Sequence, residues 1–196
     1  MRIETTYRRM SADSRTATLT PAEARERELR DRFVQEHMKR IFLLIYRIVG
    51  DVSDAQDLSQ EAFVKALSRQ EQLKDLDKAA HWLSRIATNT ALDFLRRKGR
   101  VRFSDLEELP ESYSVSDEPS PELRAMRGQR REFLERGLSV LTDRERAALL
   151  LRDVEELPAE EVAEHLQCSK ATVRSHIANA RVKFKKFLDR HREMDV

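Results

Sequence analysis

The fold is decided by residues 158–188, PAEEVAEHLQCSKATVRSHIANARVKFKKFL. Two helical patterns flank the polar turn Gln167-Cys168-Ser169, and serine is a favoured residue at a helix N-cap. Pro158 suits the first helical position, and Val162 and Leu166 then share one face. The second pattern predicts a buried stripe at helical spacing: Val173, Ile177, Ala180, Phe184 and Leu188. The stretch therefore predicts two helices that pack across a tight turn.

The outward face of the second helix is basic. Between Ser169 and Arg192 there are eight Lys and Arg residues and one acid, Asp189, although the chain of 196 residues has a formal net charge of only +2. This pattern is typical of a helix-turn-helix whose second helix enters the major groove of DNA. Arg174 suits a guanine edge, whereas Asn179 and Arg181 suit phosphates. The alternative is a surface helix with a solvated basic face, but the concentration of charge favours DNA binding.

Composition predicts an all-α protein. The chain has four glycines, five prolines and 37% charged residues, and the glycine and proline counts are low for a protein rich in turns. The single cysteine, Cys168, excludes an internal disulfide and a Cys-rich zinc site. We expect it to fill the turn as a small hydrophobe; the alternative is a redox-sensing thiol.

The sequence shows no sign of an enzyme. It has no His/Cys cluster, no Gly-rich phosphate loop and no nucleophile–base pair, so we expect no catalytic site, no metal and no cofactor. The most apolar run, 41–46, ends at Arg47 and is far shorter than a membrane span of about 20 residues. We therefore expect no membrane insertion. The N-terminus also lacks a signal-peptide core, and we expect a cytoplasmic protein.

The first half of the chain predicts three helices. A capping box at Thr20–Glu23 opens a long helix that Gly50 ends near Val49. A second capping box is predicted at Ser53, opening a helix that runs to about Ser68, and a third helix covers 81–98. Their predicted core residues are Val34, Met38, Ile41, Leu44, Ile45, Ile48, Ala55, Leu58, Ala62, Leu67, Leu83, Ile86, Thr90 and Phe94.

The second and third helices each carry a polar face of interest. Asp54, Asp57 and Glu61, beside Gln60, form an acidic stripe, which has the alternative role of complementing the helix dipole. On the third helix Trp82 lies with Arg85 and Asn89, residue types that stack on and hydrogen-bond to unpaired bases. The alternative is that Trp82 belongs to the core. Basic residues end this helix: Arg96, Arg97 and Lys98.

A linker separates this half from the helix-turn-helix. Residues 104–122, SDLEELPESYSVSDEPSPE, hold seven acids, three prolines and no basic residue, so they predict a flexible linker. A second domain is predicted from Leu123, with a third capping box at Thr142–Glu145. The predicted architecture is two small helical domains joined by an acidic linker.

Three motifs in this order resemble the extracytoplasmic-function (ECF) group of bacterial RNA polymerase sigma factors. The segment 50–67, GDVSDAQDLSQEAFVKAL, resembles the region-2 helix that docks on core polymerase. The segment 81–100, HWLSRIATNTALDFLRRKGR, resembles the helix that reads and opens the −10 element. The segment 141–184, LTDRERAALLLRDVEELPAEEVAEHLQCSKATVRSHIANARVKF, resembles region 4, which reads the −35 element.

The resemblance implies a division of the chain. Residues 1–28 would be a largely disordered extension, 29–101 region 2, 102–122 the linker and 123–190 region 4, with the helix-turn-helix at about 158–177. It further implies a factor that directs promoter-specific transcription. The implied partners are core RNA polymerase, through its largest subunits, promoter DNA, and an anti-sigma factor wedged between the two domains.

The resemblance also assigns roles to residues. Core-polymerase contacts fall on Asp54, Asp57, Gln60 and Glu61. Contacts with the −10 element fall on Trp82, Arg85, Asn89, Arg96, Arg97 and Lys98. Contacts with the −35 element fall on Lys170, Thr172, Arg174, Ser175, Ala178, Asn179, Arg181 and Lys185. The alternative function is a stand-alone helix-turn-helix regulator, which explains residues 158–188 but not the acidic stripe, the Trp82 face or the linker.

Overall fold

A computed structural model describes residues 20–73, 75, 78–98 and 121–192 of the chain. These residues form seven α-helices. The first three are α1 (Pro21–Val49), α2 (Val52–Leu67) and α3 (Ala79–Lys98), which pack on one another as the N-terminal domain. The other four are α4 (Pro121–Ser139), α5 (Asp143–Asp153), α6 (Ala159–His165) and α7 (Lys170–Arg192), which form the C-terminal domain. A short 3₁₀ helix, Gln70–Gln72, follows α2. The all-α prediction is confirmed.

The ends of α1 follow from local sequence. The Thr20 side chain accepts from the backbone N–H of Glu23, whose carboxylate accepts from Thr20 N at 2.8 Å, and Pro21 occupies the first turn. Gly50 ends the helix in the left-handed region, with φ at 80°, where a side chain would be strained. The predicted capping box and glycine stop are both confirmed. Residues 21–28, predicted as part of a disordered extension, are helical; residues 1–19 lie outside the described part.

The start of α2 differs from the prediction. Its N-cap is Asp51, whose carboxylate accepts from Asp54 N at 2.8 Å, and not Ser53. Asp51 is itself a strong capping residue, so the helix begins two residues earlier than the predicted capping box allows. The segment predicted as the linker, 102–122, lies outside the described residues except for Pro121 and Glu122, which begin α4.

The helix-turn-helix consists of α6 and α7. Pro158 is the N-cap of α6 and not its first helical residue. Ser169 Oγ accepts from Thr172 N at 3.1 Å and caps α7 as predicted. Gln167 takes a positive φ of 50° in the turn between them. Val162, Val173, Ile177 and Ala180 are buried between the helices.

The buried stripe of α7 ends differently from the prediction. Leu188 is 39% exposed, whereas Phe187 is 4% exposed. Phe187 lies three residues after Phe184 and packs with it and with Phe133 of α4. Residues on one face of a helix are three or four positions apart, so Phe187 and not Leu188 continues the buried stripe. Gly137 allows this close approach of α4, since an added Cβ would lie 2.5 Å from Phe184 Cε2.

The two domains pack against each other, which the sequence did not predict. Helix α1 contacts α5, and α3 contacts both α5 and α6. A single cluster of buried apolar residues therefore runs from Ile48 and Leu83 in the N-terminal domain to Leu151 and Leu157 in the C-terminal domain. Helix α1 accordingly buries Phe42, Tyr46 and Val49 in addition to its predicted face.

Candidate nucleic-acid interface

The outward face of α7 is the clearest candidate for a nucleic-acid surface. All eight predicted −35 residues on this helix are exposed: Lys170, Thr172, Arg174, Ser175, Ala178, Asn179, Arg181 and Lys185. Val173 and Ile177 fix the orientation of the helix because they are buried against α5 and α6. The first three turns of α7 thus present Arg174, Ser175 and Ala178 to solvent together, where a groove-binding helix would meet base edges.

The basic residues of α7 divide into two sets. Lys170 forms an ion pair with Glu160 of α6, Arg181 Nη2 lies 2.8 Å from Asp153 Oδ1, and Lys183 Nζ lies 2.7 Å from Glu145 Oε2. Within residues 121–192, Arg174, Lys185, Lys186 and Arg190 are exposed and form no ion pair with a carboxylate. Among the predicted −35 residues, Arg174 and Lys185 are therefore the cations most available for an external anion.

Lys183 has a structural role. Its partner Glu145 is buried and also completes the capping box of α5, accepting from Thr142 N at 2.9 Å. Burial raises the pKa of Glu145, but the bonds from Lys183 and Thr142 outweigh it and hold the pKa below its usual range. This ion pair joins α7 to α5 and helps to fix the position of α7 in the domain.

The acidic stripe of α2 is partly engaged within the domain. Asp57 is exposed, whereas Asp54, Gln60 and Glu61 are half-buried. Asp54 Oδ2 accepts from Lys98 Nζ at 2.7 Å, and Glu61 Oε1 lies 2.6 Å from Lys65 Nζ. The hydrogen bond to Asp54 raises the pKa of Lys98. Asp57 is therefore the carboxylate of this stripe most open to a partner.

The predicted −10 residues lie along α3. Trp82 is half-buried and packs against the apolar cluster, so it contributes to the core while part of its ring reaches the surface. Arg85 is exposed beside it, and Asn89 is half-buried. At the end of the helix Arg96, Arg97 and Lys98 are exposed. Arg96 pairs with Asp93, and Lys98 also lies over the Phe94 ring, 5.0 Å from its centroid.

Comparison with known proteins identifies both domains. The family model of sigma-70 region 2 matches residues 33–101, and the model of sigma-70, region 4, matches residues 132–184. The ECF RNA polymerase sigma-E factor of Escherichia coli K12 is 30% identical over 154 residues, which cover 76% of this chain and 80% of that protein. The chain belongs to the ECF family of RNA polymerase sigma factors.

Other sigma factors show the same similarity. The ECF sigma factor SigE of Mycolicibacterium smegmatis is 36% identical over 163 residues, covering 82% of this chain and 62% of that protein. This chain thus spans about three fifths of the length of that relative. The sigma-H factor of Pseudomonas aeruginosa is 35% identical over 157 residues, covering 77% of this chain and 81% of that protein.

A solved structure shares the fold. It is the sigma factor RpoE of Bartonella quintana, crystallised in complex with the anti-sigma factor NepR. The TM-score is 0.61 at 19% identity, covering 81% of this chain and 96% of that chain. In this ECF sigma factor, no described helix has both the length and the apolar character required to cross a membrane. Nor do its described residues place three or more His, Cys, Asp or Glu side chains where they could hold a metal ion.

Sequence reasoning missed the residues that join the two domains. Arg40, Arg146 and Glu155 were not singled out, although each is hydrogen-bonded across the domain boundary. Nothing local distinguishes them from the other charged residues of a chain that is 37% charged. The one available signal was Arg146, which lies between the apolar positions of α5 where a surface charge would not be expected.

Proposed function

We propose that this ECF sigma factor binds core RNA polymerase and directs it to promoters by recognising −10 and −35 elements. The observation that carries the proposal is the presence, in one chain, of an exposed acidic residue on α2, Asp57, and of exposed cations on α7, Arg174 and Lys185, that form no ion pair within the described residues. The two faces have opposite charge and belong to different domains. They therefore suit two different partners, a basic protein surface and a nucleic acid.

In this proposal α2 docks on core polymerase through Asp57. Its carboxylate is exposed on the helix that resembles the family's docking helix, and a basic surface of the polymerase's largest subunit is the implied partner. Gln60 and Glu61 would lie at the edge of the contact. Asp54 would act indirectly, since its bond with Lys98 fixes the start of α2 against the end of α3.

The −10 strand would meet α3, and the −35 duplex would meet α7. Trp82 would stack on an unpaired base while Arg85 and Asn89 hydrogen-bond around it. Arg96, Arg97 and Lys98 would hold the adjoining backbone. On α7, Arg174 would read a base edge, and Lys185, further along the helix, would contact a phosphate.

The same proposal places the protein in the bacterial cytoplasm with the chromosome, as an initiation factor without a catalytic site of its own. We also propose that an anti-sigma factor holds it inactive. The support is that the solved sigma factor sharing this fold was crystallised with such a partner. A stand-alone regulator is less well supported because the region-2 match, residues 33–101, would have no role in it.

Binding to purified core polymerase tests the proposal. The full chain should co-elute with core in gel filtration, and the complex should bind a promoter fragment far more tightly than the isolated chain does. Failure to associate with core, together with tight binding of the isolated chain to duplex DNA, would support the stand-alone regulator instead.

A further inference from the structure

The outward face of α7 has an uncharged stripe along its centre. The stripe consists of exposed residues at successive spacings of four, three and four positions: Ala171, Ser175, Ala178 and Val182. At about 100° per residue, these positions lie within an arc of about 60° around the helix. The buried residues Val173, Ile177 and Ala180 lie on the opposite side. The stripe therefore points away from the core of the domain.

Longer polar side chains flank the stripe on both sides. The exposed flanking residues are Arg174, Arg181 and Lys185 on one side and Thr172, Asn179 and Lys186 on the other. An α-helix with its side chains is about 10–12 Å across and fits the major groove of B-DNA, which is about 12 Å wide. In that position the two flanks would face the phosphates on either side of the groove, and the stripe would face the base edges.

The stripe offers no hydrogen-bond donor to a base. Alanine and valine have no polar side-chain atom, and Ser175 Oγ donates its hydrogen to the carbonyl of Ala171 at 3.1 Å. Guanine presents two acceptors, N7 and O6, in the major groove. If these acceptors were buried against the stripe without a donor, the loss of their hydrogen bonds to water would cost free energy. The stripe therefore disfavours guanine at the base pairs that it covers.

The apolar side chains of the stripe suit a different group of the base edges. Val182 is 55% exposed although valine is apolar, and it lies one helical turn after Ala178, so the two side chains are neighbours. Thymine carries a C5-methyl group in the major groove, and alanine and other apolar side chains contact it in protein–DNA complexes. Contact between these methyl groups would remove apolar surface from water on both sides, which is favourable.

On the basis of the sigma function proposed above, we propose that Ala178 and Val182 recognise thymine methyl groups in the −35 element. At a rise of 1.5 Å per residue, the two residues lie about 6 Å apart along α7, so the thymines they contact fall within about two base-pair steps of each other. Arg174 lies one turn before Ala178 and reads a neighbouring base pair from the flank. The methyl contacts therefore add a preference for thymine to the base contact of Arg174.

The experiment removes single methyl groups from the DNA. Holoenzyme, reconstituted from the full chain and purified core polymerase, selects its preferred sequence from duplexes randomised over the −35 and −10 regions. Each selected −35 thymine is then replaced by deoxyuridine, which keeps the base pair but lacks the methyl group. At the same positions, a 5-methylcytosine–guanine pair is compared with an unmodified cytosine–guanine pair. Competition binding measures the affinity of each duplex.

Three variants are compared with the parent chain in this assay. Val182→Ala removes the contact, and Val182→Thr keeps one of the two methyl groups of the valine. Val154→Ala is the matched control, because Val154 is a valine at the end of α5 that is 49% exposed and lies outside α7. Circular dichroism verifies that each variant is folded.

In the parent and in Val154→Ala, deoxyuridine at one or two neighbouring −35 positions should weaken binding about fourfold, the factor expected for burial of one methyl group. At these positions 5-methylcytosine should bind more tightly than cytosine. In Val182→Ala, deoxyuridine at one of them should have no effect because the contact is already lost, and Val182→Thr should respond to an intermediate degree.

Two results would overturn the methyl contact while leaving the sigma function in place. One is selection of a −35 sequence without thymine, and the other is a response to deoxyuridine that is absent in the parent or unchanged in Val182→Ala. If the chain forms no holoenzyme with core polymerase, the sigma function is overturned and the methyl contact with it.

Discussion

Arg146 and the carbonyl of Ile48 join the two domains by a hydrogen bond of 2.6 Å, although 98 residues separate them in the chain. The guanidinium is buried and satisfies two carbonyls of its own domain with its other nitrogens. Arg146 therefore packs within the C-terminal domain and also contacts the C-terminal end of α1. Ile48 itself belongs to the buried apolar cluster that the two helical domains share.

Arg146→Met should destabilise the protein by about 2–4 kcal/mol, because the similar-sized side chain leaves buried carbonyls without donors. Urea unfolding followed by circular dichroism measures the change. Arg144→Met is the matched control, since Arg144 is exposed and donates to the Leu166 carbonyl at 3.1 Å. We expect its cost to stay below about 1 kcal/mol. Equal costs for the two variants would contradict the role given to Arg146.

His165 should make the protein less stable in mild acid. Burial lowers its pKa below the usual 6.5, although its ring contacts the carbonyls of Glu161 and His81; Arg85 lowers the pKa further and the Glu161 carboxylate raises it. The unfolded chain therefore binds a proton at His165 more readily than the folded chain. The free energy of unfolding should fall as the pH drops below about 6.5, by at most about 1.4 kcal/mol per pH unit from this group.

The comparison of His165→Gln with the parent between pH 7.5 and 5.5 isolates this contribution. The variant should lose part of the acid-dependent decrease in unfolding free energy. His176→Gln, at a half-buried position of α7, controls for the loss of a histidine elsewhere. If the two variants keep the same pH dependence, His165 does not couple protonation to the domain contact.

Much of each domain could be predicted from sequence because its determinants are local. The capping boxes at Thr20 and Thr142, the glycine stop at Gly50 and the helix-turn-helix spacing all depend on residues a few positions apart. The start of α2 was misplaced because Asp51 and Ser53 are both residue types favoured at an N-cap, and the helix uses Asp51. Likewise, the sequence did not decide whether Trp82 belongs to the core, and its side chain is half-buried against the apolar cluster.

The contact between domains could not be predicted, for a physical reason. Arg40 and Glu155 are 115 residues apart, and a charged residue in a helical sequence is read as solvent-facing. Their burial is favourable only because each meets the other, which no local pattern shows. The composition of the linker predicted two flexibly joined domains and gave no indication that they pack together. The exposure of the candidate residues on α7 could be predicted, since it follows from helical phase alone. Their contacts with DNA stay predictions.

Asp57→Lys should abolish binding to core polymerase while leaving the fold intact, because an exposed charge contributes little to stability. Combining it with Glu61→Lys should have the same result. Glu36→Lys, an exposed acid on α1, is the control and should bind core normally. Affinity is measured by fluorescence anisotropy of labelled protein with purified core. Unchanged affinity of Asp57→Lys would remove α2 from the docking surface.

Arg174→Ala and Lys185→Ala should affect promoter binding differently. Arg174 lies one turn into α7, and its loss should cost about 1–3 kcal/mol and relax the preference at one −35 position. Lys185→Ala should weaken binding equally for all sequences and lower the salt slope by about one unit. Reconstituted holoenzyme is titrated against a panel of −35 variants at several salt concentrations. An equal loss on every sequence for Arg174→Ala would make it a phosphate contact.

Transcription in vitro is the direct test of the proposed sigma function. Purified core polymerase is incubated with fragmented genomic DNA of the source organism, with and without the full chain, and the 5′ ends of the transcripts are mapped. If the chain is a promoter-specific sigma factor, we expect new start sites that require the protein and share one pair of −10 and −35 motifs. Start sites that are the same with and without the protein would contradict it.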